Sequence, residues 1–240
     1  MRRVQQLWPT TADPVDLTAL YRVGQSPWLR LNFVSSLDGA GTVEGRSEGL
    51  SSPEDKRVFG ILRMLCDALV VGAGTLREEG YRALRLDEER RAWRRANGLA
   101  EYPTLVVVSG RADLDPAHPA LADAPVRPII VTRSATEPDD GLTEVADVVR
   151  HGDDRVDLAA AVADLHGRGL RQLLSEGGPQ LFGSLTAAGL VDELCLTLSP
   201  LLAGPGPDRI IAGPPLATPE RLTLRHVLLA EGQLMLRYSR

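Results

Sequence analysis

The chain has 240 residues, 43% of them hydrophobic and 4% aromatic, with 27 Lys plus Arg against 32 Asp plus Glu for a net charge of −5. That length holds one large domain or two small ones, and the acidic balance excludes the broad basic surface of a general nucleic-acid binder. No run reaches the ~18 apolar residues of a membrane span and no signal-type apolar region opens the chain, so a cytoplasmic protein without a membrane partner is expected.

Short β-branched and Leu-rich runs alternate with amphipathic stretches, the pattern of βα units in a largely parallel sheet. Asp16 to Arg22 reads as a short helix and Leu29 to Ser35 as the first strand, closed by an Asp38-Gly39 turn. Pro53 stands at a helix N1 position behind Ser51 and Ser52, and Val58, Ile61, Leu62 and Leu65 follow at helical spacing. Asp67 to Val71 is a strand running into Gly72-Ala73-Gly74-Thr75, with a short helical turn through Arg77 to Glu79. Glu88 to Ala96 is a charged helix ended by Asn97-Gly98. Thr104 to Ser109 and Pro128 to Thr132 are continuous apolar strands covered on both faces, and Val145 to Arg150 is a weaker one. An Ala-rich helix over Leu158 to His166 precedes the strand Gln172 to Ser175. Glu176-Gly177-Gly178-Pro179 then opens a helix from Gln180 to Ala188. Asp192 to Ser199 is a long strand, Gly204 to Pro219 a loop, and Leu222 to Leu229 with Gln233 to Tyr238 a closing hairpin around Glu231-Gly232.

The chemistry should gather where strands turn into helices. After Ser175, consecutive glycines let backbone approach a ligand, and the following helix offers unsatisfied N–H groups to a pyrophosphate. Glu176 places a carboxylate at the C-terminal strand edge, where open α/β sheets bind ligands. Gly72-Ala73-Gly74-Thr75 matches only half of a G-x-G-x-x-G fingerprint, and no acidic strand end follows about 20 residues on. Cys66 and Cys195 lack the spacing of a disulfide framework or zinc site. Only Lys56 is a lysine. Most of the many arginines sit in solvated runs such as Glu89 to Arg95, whereas Arg46 lies with two serines in a Gly-rich stretch suited to an anionic substrate.

The ordered motifs SSLDG, GRSEGLSSPED, LR-x3-DALVVGAGTL, SEGGPQLFGSL and GLVDELCLTLSPLLAG resemble the reductase domain of the riboflavin-biosynthesis deaminase/reductase over about residues 28 to 205. The resemblance implies an α/β, dihydrofolate-reductase-like fold: a mostly parallel twisted sheet flanked by helices, with an antiparallel C-terminal hairpin. It implies one reductase domain over 1–240, with residues 1–27 as an N-terminal extension, 28–205 as core and 206–240 as loop and hairpin. The expected reaction is NADPH-dependent hydride transfer to C1′ of a ring-opened ribosylamino-pyrimidine 5′-phosphate, 5-amino-6-(5-phosphoribosylamino)uracil or a close analogue.

By the same resemblance NADPH is held by Ser35, Asp38, Gly74, Thr75, Glu79, Ser109 and the run Gly177, Gly178, Pro179, Gln180, Leu181, Phe182, Gly183 and Ser184. The phosphorylated pyrimidine is held by Ser47, Arg63, Glu176 and one of Arg82 and Arg85. Glu176 and Asp38 are the candidate catalytic residues, Glu176 orienting substrate and Asp38 serving the nicotinamide end. A homodimer through C-terminal sheet edges is also expected. Two departures stand out: Gly49 replaces the family's tryptophan, and Glu78-Glu79-Gly80-Tyr81 replaces an acidic pair before a proline. They keep two alternatives open, a dihydrofolate or pterin reductase and a non-catalytic ligand-binding descendant. The deaminase half is not encoded here, since its H-x-E and P-C-x-x-C signatures are missing.

Overall fold

The structure, a computed structural model, describes residues 4–206 and 208–240. Strand β1 (Gln5–Trp8) and helix α1 (Leu17–Tyr21) precede β2 (Trp28–Ser36), α2 (Pro53–Leu65), β3 (Ala68–Gly72) and α3 (Ala73–Glu78). There follow α4 (Glu88–Ala96), β4 (Thr104–Val108), α5 (Pro119–Ala122), β5 (Ile129–Thr132), α6 (Asp140–Val145) and β6 (Asp147–Arg150). The chain closes with α7 (Leu158–Gly167), β7 (Gln172–Ser175), α8 (Pro179–Ala187), β8 (Glu193–Ser199), β9 (Thr223–Ala230) and β10 (Gln233–Ser239).

All ten strands join one sheet in the order β1-β9-β10-β8-β2-β7-β3-β4-β5-β6. From β8 through β6 each neighbouring pair is parallel, and from β8 through β10 and β9 to β1 each is antiparallel. The apolar runs of β3 and β5 are buried along nearly their whole length because helices cover both sheet faces. Leu62, Leu76, Leu121 and Leu142 pack on one face with Val71, Val107 and Ile130. Ala161, Leu165, Leu181 and Leu185 pack on the other with Leu31, Val70, Val106 and Val131.

Helix α2 begins as the sequence predicts, with Ser52 accepting the Asp55 amide and Pro53 in the first turn. At its far end Arg94, counted above among solvated arginines, is fully buried. Its guanidinium donates to the carbonyls of Met64, Cys66 and Ala100 at 2.8, 2.6 and 2.6 Å, satisfying acceptors that the end of α2 leaves open. Other expectations also shift. Helix α3 starts at Ala73, so Gly74 and Thr75 lie in its first turn and not in a loop. Val145 closes α6, and the following strand starts at Asp147. Strand β1 was not anticipated: it is four residues long, and its Leu7 and Trp8 are exposed, so it shows no buried alternation. It covers the outer edge of β9, while β10 is paired on both sides. The C-terminal hairpin therefore has no free edge of its own to offer a partner.

Candidate active site

Strand β7 returns late in the chain to lie between β2 and β3, and their parallel C-terminal ends bring residues 36–42, 72–75 and 176–179 to one sheet edge. A cleft of about 580 Å³ opens there. Its lining includes Ser47, Arg63, Thr75, Glu79, Arg82, Glu176, Gly178 and Pro179 from the sequence-predicted set. A neighbouring cleft of about 1120 Å³ lies against α3 and α8 and takes Gly74, Ser109, Gln180, Leu181 and Ser184.

The centre of the first cleft is a buried ion pair. Glu176 accepts from Arg63 Nε at 2.8 Å and Nη2 at 2.7 Å, and from the Tyr81 hydroxyl at 2.6 Å. The Glu176 side chain is 2% exposed and that of Arg63 24%. Burial alone would weaken the Arg63 guanidinium's hold on its proton, but the adjoining Glu176 carboxylate outweighs it and keeps the pKa above the ordinary value. Burial, and then the same carboxylate, push the Tyr81 phenol well above its ordinary range, so it stays a donor. Arg63 also lies over the Phe59 ring at 4.1 Å and the Tyr81 ring at 5.6 Å.

Sequence reasoning did not single out Asp55, Phe59 or Arg209, and it named Tyr81 only as part of the Glu78-Glu79-Gly80-Tyr81 departure, without a role; all four line this cleft. The first two carried a signal: Asp55, Phe59 and Arg63 recur every four residues along α2 and share one face. Tyr81 follows α3 in irregular chain, where no periodicity could mark it. Phe59 and Tyr81 supply aromatic faces although Gly49 carries none.

The glycines serve close packing as well as access. Gly177 has φ +89°, and a Cβ there would lie 2.6 Å from Phe33 Cζ. A Cβ on Gly178 would lie 2.6 Å from Thr75 Oγ1. The Gly177 carbonyl accepts the Gly72 amide at 2.6 Å, joining the two turns, and the Gly177–Gly178 peptide is cis. Helix α8 has Gly178 as N-cap with no side-chain cap, so its first N–H groups are open to an anion. Arg77, Arg111 and Arg155 line the second cleft beside Ser109.

Several expected site residues line neither cleft. The Ser35 hydroxyl donates to the Ser36 carbonyl at 3.2 Å. Phe182 stacks on Phe33 at 4.9 Å, and Gly183 admits the Ala212 carbonyl, which a Cβ would meet at 1.8 Å. Asp38 accepts from the Ser36 hydroxyl and from the amides of Ala203 and Gly204 at 3.1 and 2.8 Å. Those donors, the serine foremost, hold its pKa at about 2. Of the two candidate phosphate arginines, Arg82 lines the first cleft, whereas Arg85 donates to the Asp123 carbonyl at 2.8 Å.

Comparison with known proteins places this geometry. The family model of the RibD C-terminal domain matches residues 27–235. The 2,5-diamino-6-ribosylamino-4(3H)-pyrimidinone 5′-phosphate reductase of Archaeoglobus fulgidus is 34% identical over 182 residues, covering 74% of this chain and 82% of the relative. A pyrimidine reductase-like protein of Corynebacterium diphtheriae superposes with a TM-score of 0.83 at 24% identity, over 94% of this chain and 98% of that one. The diaminohydroxyphosphoribosylaminopyrimidine deaminase/5-amino-6-(5-phosphoribosylamino)uracil reductase of Thermotoga maritima superposes with a TM-score of 0.71 at 18% identity, over 90% of this chain and 57% of that one.

Proposed function

Because the chain belongs to the RibD C-terminal domain family, with its dihydrofolate-reductase-like fold, we propose that it is an NADPH-dependent reductase of a ribosylamino-pyrimidine 5′-phosphate in riboflavin biosynthesis. The observation that carries this reading is the pair of clefts served by the same two turns, one of about 580 Å³ lined by Thr75, Gly178 and Pro179 and one of about 1120 Å³ lined by Gly74 and Gln180 beside the open N-terminus of α8.

The second cleft fits a dinucleotide by its donor set. The amides at the start of α8 would receive the pyrophosphate, with the hydroxyls of Ser109 and Ser184 beside them. Arg111 and Arg155 would meet the extra phosphate that distinguishes NADPH. When bound, the cofactor supplies the hydride that reduces the imine carbon. The chain's own residues do the rest. Arg63 and Tyr81 fix the Glu176 carboxylate, which orients the open-chain sugar for attack. Arg82, Arg209 and Ser47 offer donors to the substrate phosphate, a role Arg63 shares less, since its guanidinium is already committed to Glu176. Phe59 and Tyr81 cover the ring and exclude water. Asp38, kept ionised, acts as a positioning residue that fastens the segment at Ala203 and Gly204.

A Glu176→Gln variant should lose about 10²-fold or more in turnover with little change in NADPH affinity. Steady-state oxidation of NADPH together with cofactor titration checks this, and unchanged turnover removes Glu176 from the site.

We also assign the protein to a homodimer in the cytoplasm. No helix among the described residues is long and apolar enough to cross a membrane. With the hairpin edge occupied, the contact is assigned to a sheet face, where Leu196, Leu198, Val227, Leu229, Leu234 and Leu236 are only half-buried.

A further inference from the structure

The first cleft holds two buried carboxylates, and they are treated differently. Glu176 is matched by a guanidinium and a phenol. Asp55 is 6% exposed and accepts from the Thr197 hydroxyl at 2.6 Å. No cation lies within ion-pairing distance of it among the described residues. The neighbouring Lys56 turns its ammonium to Glu48 at 3.2 Å. A buried carboxylate without a cation is costly unless hydrogen-bond donors satisfy it. Burial raises the Asp55 pKa in spite of the hydrogen bonds from the Thr197 and Ser51 side chains and the more distant Lys56 charge. The carboxylate is nevertheless part of the cleft wall, one helical turn from Phe59 and two from Arg63.

From this juxtaposition we infer that Asp55 reads the pyrimidine ring of the substrate and selects a 2-amino-4-oxo ring over a 2,4-dioxo ring. The inference rests on the ribosylamino-pyrimidine reading above. On the side of the ring away from the ribosylamino arm, a 2-amino-4-oxopyrimidine presents two N–H donors side by side, the 2-amino group and N3–H. An ionised carboxylate accepts both, as it accepts both arms of a guanidinium. A 2,4-dioxopyrimidine presents N3–H next to a carbonyl at C2, so one carboxylate oxygen faces an acceptor and stays unsatisfied. A site built to hydrogen-bond a substrate N–H group rejects an analogue lacking it far more strongly than an apolar pocket rejects a methylene. The substrate is therefore the 2,5-diamino form and not the uracil form that the motif resemblance alone brought forward. Phe59 supplies the ring face, and Thr197 holds Asp55 in place.

The test is the ratio of kcat/KM for the two ribosylamino-pyrimidine 5′-phosphates, 2,5-diamino and 5-aminouracil, in the wild type, Asp55→Asn and Thr197→Val. The wild type should favour the diamino substrate by about 10²-fold or more. Asparagine offers one acceptor and one donor, which match N3–H and the C2 carbonyl, so Asp55→Asn should reverse the preference and improve turnover of the uracil substrate in absolute terms. Thr197→Val should reduce the ratio without reversing it. A ratio unchanged in Asp55→Asn, or a wild type that prefers the uracil, overturns the assignment. Calorimetric binding of the same two compounds separates this from failure of the reductase reading. If neither is reduced, a diamino-over-uracil binding preference that Asp55→Asn reverses still supports Asp55, and equal binding overturns it. Thermal melts identify a variant that has not folded, in which case Thr197→Val carries the comparison.

Discussion

The sheet carries two buried arginine–glutamate pairs at opposite ends of its parallel strands, and they serve opposite ends of the molecule's purpose. Arg63–Glu176 sits at the C-terminal edge of β7 and lines a cleft. Arg30–Glu193 sits near the start of β2 and β8, where the two residues are register partners. At this second pair the Glu193 side chain is wholly buried, and it also accepts from Arg237 Nη2 at 2.7 Å and Trp28 Nε1 at 3.2 Å. Arg30 spends a further donor on the Tyr21 carbonyl at 2.6 Å. Burial would raise the Glu193 pKa, but Arg30 and Arg237 outweigh it and hold the carboxylate below its ordinary range. The two clusters use the same chemistry, but among the described residues Glu193 lines no cavity and Arg30 borders only a smaller one of about 290 Å³ at the opposite end of the strands, whereas Arg63 and Glu176 both line the candidate substrate cleft.

That contrast predicts different responses to loss of the carboxylate charge. Glu193→Ala leaves two arginines facing each other in the core and should cost about 3–5 kcal/mol of unfolding free energy, read from urea melts. Glu176→Gln should cost less stability than Glu193→Ala, because Arg63 is partly exposed and water can rehydrate it, while its main effect falls on turnover. Equal stability losses at the two positions would erase the distinction between a structural pair and a functional one.

His226 gives a smaller, pH-resolved test of how dry the sealed end is. It packs edge-on against Tyr21 at 4.7 Å, and its Nε2 has no hydrogen-bond partner among the described residues. Burial first, and then the Arg237 charge, lower its pKa to about 4. Between the ordinary histidine value of about 6.5 and that depressed one, the unfolded chain binds the proton and the folded chain does not. Stability should therefore fall as pH drops through this window, by at most ~1.4 kcal/mol per pH unit, and level off below it. His226→Phe keeps the ring contact and removes the titration, so its stability should fall less steeply from pH 6.5 to 4. Parallel slopes would mean that water reaches the imidazole.

The sequence made one of these two regions far more readable than the other. Strand order apart, the βα alternation, the Pro53 helix start and the glycine turns before α8 follow from local rules, and those turns pointed directly to Glu176. The partners of Glu176 did not follow so easily. Arg63 was reached through resemblance, and Tyr81 was named only as a departure from the family motif, because only the tertiary fold brings residue 81 to residue 176. Asp55 looks in sequence like an ordinary acidic residue in a helix's first turn, where it would complement the helix dipole. Its burial becomes visible only when Thr197 arrives from β8. Arg30, Glu193 and Arg237 were invisible for the same reason: each is one charge in an otherwise apolar strand, and their mutual compensation spans more than 200 residues. Arg94 shows the reverse error, a buried cap hidden inside a run of solvated charges.

Asp38 tests the open end, where the expected effect is smallest. It is exposed, yet three donors converge on it and hold its pKa at about 2, below the ~3.9 of an unfolded aspartate. Its contribution is therefore complete above about pH 4 and lost as pH falls toward 2, the opposite end of the acid range from His226. Because the bonds fasten the segment at Ala203 and Gly204 beside the cleft, local opening and not global unfolding should report the loss. Asp38→Asn should increase amide exchange at Ala203 and Gly204 at neutral pH while leaving the exchange of β3 and β4 unchanged. The wild type should approach the variant's exchange behaviour as pH falls below 4, once intrinsic exchange rates are corrected for. If the variant exchanged no faster at those two amides, the carboxylate would not be what fastens them, and the open end would owe its order to the neighbouring Leu37 amide, which donates to the Leu201 carbonyl at 2.9 Å.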